Sequence, residues 1–243
     1  MLGGITHSQG KSFAKLLYLA PQYRLGDIDL TLLLEDLAKA AGSWGALHVI
    51  AEIDETNLVF NALRKSGFSV YAWQRMWDVS HLKPFVHNTG TWRRIRSVQQ
   101  PAIQSLYYQI VPPLLHPVEP LTNPSKGVIY EGELNCFAGI TSGAYGMVLT
   151  PLIHPEVNAV EEKLSSLLSS LPQRRGRSVY MCVRSYQTWL EPVLADLGAV
   201  ATQRQAVMVK HLARFVKDEQ SLATVPKGVS VQPSQMGRVE TKD

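Results

Sequence analysis

One order of elements occurs twice in this chain, and that repetition constrains the fold more than any single motif. Phe13 to Ala20 is a short apolar run closed by Pro21, which predicts a buried strand. Ile28, Leu30, Leu33, Leu34, Leu37 and Ala41 then recur at helical spacing, behind Asp27 and Asp29 at the positive end of the helix. Leu47 to Ile53 predicts a second strand. Thr56 to Ser66 predicts a helix closed by Gly67, and Phe68 to Val79 an aromatic-rich third strand. About 130 residues later the order returns. Tyr145 to Pro151 matches the first strand, and Val157 to Leu171 carries a helical stripe of leucines and valines. Ser178 to Val183 is a strand, Tyr186 to Leu197 a helix stopping at Gly198, and a last strand runs to His211-Leu212. Strands that alternate with helices predict parallel pairing through right-handed crossovers.

The second stretch has more in front of it. Thr91 to Val98 reads as a strand, Ala102 to Leu115 as an amphipathic helix, and Gly127–Glu131 with Leu134–Thr141 as a hairpin. The first stretch has only Gly3 to Ser8 there, which is similar to Ala138–Gly143. Residues 1–85 are therefore expected to form an incomplete unit, 86–216 a complete one, and 217–243, where the apolar pattern dissolves, a flexible tail. The incomplete unit is expected not to stand alone and to pack on the second through Phe68–Val79, while 86–216 is expected to be self-contained.

Composition removes several classes of function. Of 243 residues, 45% are hydrophobic and 18% charged, as in an ordinary globular chain, and the formal net charge of +4 suits an anionic ligand while arguing against nucleic acid as partner. No apolar run approaches a membrane span of about 20 residues. Cys136 and Cys182 lie in apolar runs with no Cys or His at ligand spacing, so they read as buried free thiols, no metal is expected, and a reducing, cytoplasmic compartment fits. Gly-x-Gly-x-x-Gly, His-Glu-x-x-His and a serine elbow are absent.

Ala51–Asn57, followed by Ala62-Leu-Arg-Lys-Ser-Gly-Phe68, resembles the late part of a GNAT (N-acetyltransferase-fold) domain. Leu17–Asp36 resembles that family's central strand and pyrophosphate-binding helix, and Thr91–Val118 its opening strand and helix. The resemblance implies an α/β fold of two tandem, diverged GNAT-like mixed-sheet units, the first truncated. It implies an acyl-coenzyme-A-dependent N-acyltransferase that moves an acetyl group from acetyl-CoA to an amine, small or on a protein. The first unit would hold the coenzyme through Leu19, Ala20, Tyr23, Arg24, Leu25, Gly26, Asp27 and Asn57, with Glu52 as candidate general base acting through water. The alternative is a GNAT-fold module that binds without chemistry, and oligomerisation stays open. Departures from the family pattern favour the alternative. The position where the family carries a proton-donating Tyr is Leu63 in the first unit and Leu194 in the second. The family Asn becomes Thr56, beside Asn57, and Gln187. The second phosphate loop reads Leu152-Ile-His-Pro-Glu-Val157. Tyr18 is expected to pack in the core, and Trp73 and Trp77 between the units. His7 and His48 are expected on the surface, His154 in a turn, and Arg174, Arg175 and Arg177 in a solvated loop.

Overall fold

The computed structural model describes residues 1–8, 10–25, 29–82, 91–121, 126–143, 146–171 and 177–212. Gly26, Asp27, the linker 83–90, Arg174, Arg175 and the tail from 213 lie outside them, as do Gly176 and the loop residues 122–125.

The first stretch holds β1 (Leu2–His7), β2 (Phe13–Ala20), α1 (Thr31–Ser43), β3 (His48–Asp54), α2 (Val59–Lys65) and β4 (Ser69–Asp78). The second holds β5 (Trp92–Arg94), α3 (Gln100–Ile110), β6 (Gly127–Tyr130), β7 (Cys136–Ser142), β8 (Gly146–Ile153), α4 (Val160–Ser170), β9 (Ser178–Arg184), α5 (Leu190–Asp196) and β10 (Val200–His211). Strand–helix–strand–helix–strand thus occurs in both, at the residues where the apolar periodicity places it. The second and fourth of these helices end alike: Gly67 and Gly198 follow α2 and α5 with φ of 83° and 88°, a region that a side chain disfavours. The Thr91–Val98 strand is shorter than expected, because Ser97–Gln99 already turn as a 3-10 segment into α3.

The ten strands of the described residues join one sheet in the order β1-β2-β3-β10-β4-β9-β8-β7-β6-β5. Only β2 with β3 and β8 with β9 pair in parallel; β4 and β10 run antiparallel to both neighbours. Parallel pairing along the whole repeat is therefore a wrong expectation. The last strand of each stretch turns back and enters the sheet of the other.

β10 lies between β3 and β4, and β4 lies between β10 and β9. The sheet's hydrogen bonding thus has no boundary at residue 85. The cores are exchanged in the same way. Trp77 of β4 and Val79 just after it are buried among Leu164, Leu167, Leu190 and Leu194, while Ala206 and Met208 of β10 are buried among Leu34, Leu63 and Val49. The aromatic strand Phe68–Val79 joins the stretches through its backbone ladder as well as through side chains.

The side chains of a strand alternate between sheet faces. Packing of α1, α2, α4 and α5 against Trp73, Trp77, Ala206 and Met208 puts those four helices on one face. α3 and the segment after it cover the other through Ile103, Leu106, Tyr107, Val111 and Leu115, which meet Ile50, Ala72, Phe137, Leu152 and Val207. That cover reaches Phe13 at the start of β2, but further along the strand Leu17 and Tyr18 remain 60% and 57% exposed. Tyr18 is therefore not a core residue.

Candidate functional site

β2 and β3 pair only over Phe13↔His48, Ala14↔Val49 and Lys15↔Ile50, then diverge. At the point of divergence β2 carries a bulge. Ile5 pairs with Leu16 and Gly4 with Tyr18, so Leu17 is an extra residue without a partner on β1. Beyond Lys15 the β3-facing backbone edge of β2 has no ladder partner. A cleft of about 240 Å³ opens there, lined by Leu16 to Leu19, Gln22, Leu25, Ala51 to Ile53, Asn57, Val59 and Leu63. Leu19, Leu25, Asn57 and Glu52 of the sequence-derived set are thus brought together. Tyr23 stands beyond them, 79% exposed, in the short turn Gln22–Arg24 after Ala20.

The polar groups at this cleft are mostly committed within the protein. Asn57 Oδ1 accepts from Val59 N at 2.9 Å and so opens α2. At the start of α1, Asp29 Oδ1 accepts from Thr31 N at 2.9 Å, and the hydrogen bonds from Thr31 hold the Asp29 carboxyl below the usual carboxylate range. An anionic side chain already serves the positive end of this helix. Leu63 is fully buried, so the position of the family's proton donor is core.

Glu52 points to the α3 face. Its Oε1 lies 3.4 Å from Lys15 Nζ and 3.8 Å from an Arg184 amino nitrogen. Burial pushes the Glu52 carboxyl up, but Lys15, Arg184 and hydrogen bonds from Lys15 and Gln74 outweigh it and leave the group below its ordinary value. A carboxylate so stabilised is a weak proton acceptor at neutral pH. Arg184 is the centre of this network. Its Nε donates to Glu119 Oε1 at 2.6 Å, it also donates to Gln74 Oε1, and Tyr186 donates to Glu119 Oε1 at 3.2 Å. Sequence reasoning missed this cluster because Glu52, Glu119 and Arg184 are far apart in the chain.

The corresponding opening in the second stretch has a different fate. β8 and β9 pair from Gly146↔Ser178 to Leu149↔Met181 and then diverge, as β2 and β3 do. β8 has no bulge: its register with β7 runs unbroken from Cys136↔Ile153 to Ser142↔Met147. The side chain of Gln187, 1% exposed, fills the gap. Ile153 N donates to Gln187 Oε1 at 3.0 Å, and Gln187 Nε2 donates to Pro151 O at 2.8 Å. One carboxamide thereby satisfies both the donor and the acceptor that an incoming amide would need. At the neighbouring helix start, Glu161 and Glu162 stand in the first turn of α4, and buried Lys163 is paired with Glu133 at 2.8 Å.

Among the residues read as bystanders, His7 Nε2 bonds to Lys11 O and His154 Nδ1 accepts from Glu156 N in a turn. His48 is half-buried, its ring 4.7 Å from that of His211, and its Nδ1 is buried with no partner among the described residues. Trp73 stacks on Phe60 and carries the Arg204 guanidinium 3.9 Å from its ring centroid. Both thiols are free and buried. Burial pushes Cys136 up to about 12 and Cys182 up to about 11. No group of three or more His, Cys, Asp or Glu side chains among the described residues is placed to hold a metal, and no described helix is long and apolar enough to cross a membrane.

Several solved structures superpose on this chain. A GCN5-related N-acetyltransferase from Sphaerobacter thermophilus superposes with a TM-score of 0.52 at 14% identity, over 82% of this chain and 73% of that one. One from Kribbella flavida gives 0.52 at 16%, over 83% and 82%. The chain has the GNAT fold. A tandem GNAT protein from the clavulanic acid biosynthesis pathway gives 0.50 at 14%, over 83% of this chain and 76% of that one. No protein-family model and no curated protein matches the sequence.

Proposed function

We propose that this protein is a tandem GNAT-fold, acyl-coenzyme-A-dependent N-acyltransferase with one working cleft, the one between β2 and β3. The observation that carries this reading is the contrast between the two openings. The first is bulged at Leu17 and open, and the second is stoppered by Gln187. Acetyl-CoA, when bound, supplies the acyl thioester. The unpaired β2 edge and the apolar walls Leu16, Leu19, Ala51 and Val59 suit its slender amide-bearing arm. Leu19, Ala20, Tyr23, Arg24, Leu25, Gly26, Asp27 and Asn57 are the residues we assign to holding it. The start of α1 suits the phosphates less well, because Asp29 already serves it.

A second reading, a GNAT-fold module that binds without turnover, draws on two observations: Leu63 and Leu194 are both fully buried, and Glu52 is ion-paired. Calorimetric titration with acetyl-CoA tests binding. One ligand per chain is expected, weakened by Leu19→Glu and by Arg24→Glu. No heat at millimolar ligand, or two ligands per chain, refutes the proposal. Release of free thiol in the presence of an amine panel then separates enzyme from module.

A further inference from the structure

Beside the cleft, on the α3 face, the sheet carries a shallow hollow of about 450 Å³ lined by Asp54, Met76, Tyr180, Thr202, Gln203 and Gln205. It lies where the exchanged strands meet, so β3, β4, β9 and β10 each contribute to it. We propose that this hollow binds the acyl acceptor, and that the acceptor is a polar, non-acidic amine whose ammonium group is surrounded by hydroxyl or amide groups. The acceptor role rests on the acyl-transfer reading of the cleft; the binding of such an amine does not.

The chemistry of the lining selects this class. Among the described residues, Asp54 is the only charged side chain lining the hollow, and no cation lines it. The nearby cations Lys15 and Arg184 are engaged by Glu52 and Glu119. A carboxylate on the ligand would therefore meet no counter-ion, whereas an ammonium would meet Asp54. The remaining lining is two carboxamides, a threonine hydroxyl, a phenol and a thioether. An alkylamine covering this lining would take water from polar atoms such as the Gln203 amide N–H groups without replacing its hydrogen bonds.

The carboxamides are also held in place. Gln74 Nε2 donates to Gln205 Oε1 at 2.9 Å, Gln205 Nε2 donates to Asp54 Oδ1 at 2.9 Å, and Thr56 Oγ1 donates to Gln203 Oε1 at 3.0 Å. This relay fixes their orientation and leaves the second Asp54 oxygen and the Gln203 amide N–H groups for a ligand.

The location suits transfer. Asp54 and Glu52 are two residues apart on one strand and share a face, a separation of about 7 Å along β3, and Glu52 lines the cleft. The acceptor nitrogen forms the C–N bond as the C–S bond of the thioester breaks. Of the two protons that the ammonium loses, one neutralises the departing thiolate and the other passes to solvent.

The test uses the full chain labelled with 13C at the methionine methyls, with the Met76 signal assigned through Met76→Leu. Glucosamine is titrated without acetyl-CoA, so failure here is distinct from failure of the calorimetric test. A saturable shift of the Met76 methyl is expected. Binding should weaken about fivefold in Asp54→Asn, which keeps the acceptor for Gln205 but removes the charge, and should also weaken in exposed Gln203→Ala. Glucose, glutamate and octylamine should each move Met76 less than glucosamine does. The proposal is overturned if glucosamine leaves Met76 unmoved, if glutamate or octylamine shifts it as strongly, or if neither substitution alters the affinity.

Discussion

Replacing Gln187 with Ala removes the stopper between β8 and β9. Two buried backbone groups, Ile153 N–H and Pro151 C=O, then lose their partners. Each unsatisfied group costs about 1–3 kcal/mol, and a water entering the vacated slot would recover part of this. A net loss of about 3 kcal/mol is the reasonable centre. For a chain of this size each kcal/mol lowers the melting temperature by about 2–4 °C, so a drop of about 6–12 °C is expected in thermal unfolding followed by circular dichroism. Gln187→Glu sharpens the test. It keeps an acceptor for Ile153 but sets a carboxylate oxygen against Pro151 O, so its folded pKa should be raised. That variant should approach the parent below the unfolded carboxyl value, where the acid donates to Pro151, and lose stability as pH rises from there to its folded pKa. A Gln187→Ala protein melting within about 2 °C of the parent would show that the carboxamide is incidental to the fold, and the case for a closed second cleft would go with it.

Glu119→Leu strips Arg184 of its closest carboxylate, and urea unfolding should show a loss of about 3 kcal/mol, with Glu119→Gln affected less because it still accepts a hydrogen bond. His48 is depressed by burial first and by His211 second, so protonation opposes folding; stability should fall as pH drops below the unfolded histidine value, and His48→Gln should flatten that limb of a pH series of melting curves. Because β10 is hydrogen-bonded on both sides to β3 and β4, neither residues 1–85 nor 86–216 should give dispersed amide spectra alone, while co-expression should yield a soluble complex; a cooperative transition in either piece alone would refute the exchange as a requirement for folding.

Much of this fold is legible in the sequence, because the signals for its elements are local. The leucine stripe of α1, the glycines after α2 and α5, and the apolar runs of β2 and β8 each mark an element within a residue or two of its place. The pairing partners are not legible. The run Ala206–Val209 of β10 is apolar and buried on both faces, so it specifies burial without saying between which neighbours, and the register that joins Gln74 to Gln205 is settled only by tertiary contact. The site divides the same way. Leu19, Leu25 and Asn57 follow from their position beside a splayed strand. The ion pairs of Glu52 do not, because Arg184 arrives from a strand in the other stretch. Gln187 stands out in sequence only as a departure from a family asparagine; that it fills a gap becomes visible once Pro151 and Ile153 are seen across from it. Tyr18 reads as core by its apolar neighbours, but the cover that α3 gives the sheet meets β2 at Phe13 and leaves Tyr18 exposed.

The exchange of last strands also sets an order of events during synthesis. β3 and β4 leave the ribosome with a strand-wide vacancy between them, and the strand that fills it is encoded more than a hundred residues later: Asp54 waits for Gln205, 151 positions downstream. Until then β3 presents an unpaired edge of apolar sequence to the cell. Folding is therefore not vectorial. Contacts of such long sequence separation form slowly, and a nascent chain in this condition is a natural client for a chaperone that shields strand edges. Synonymous changes that slow elongation between β4 and β10 should lengthen that exposure without altering a single residue of the finished protein.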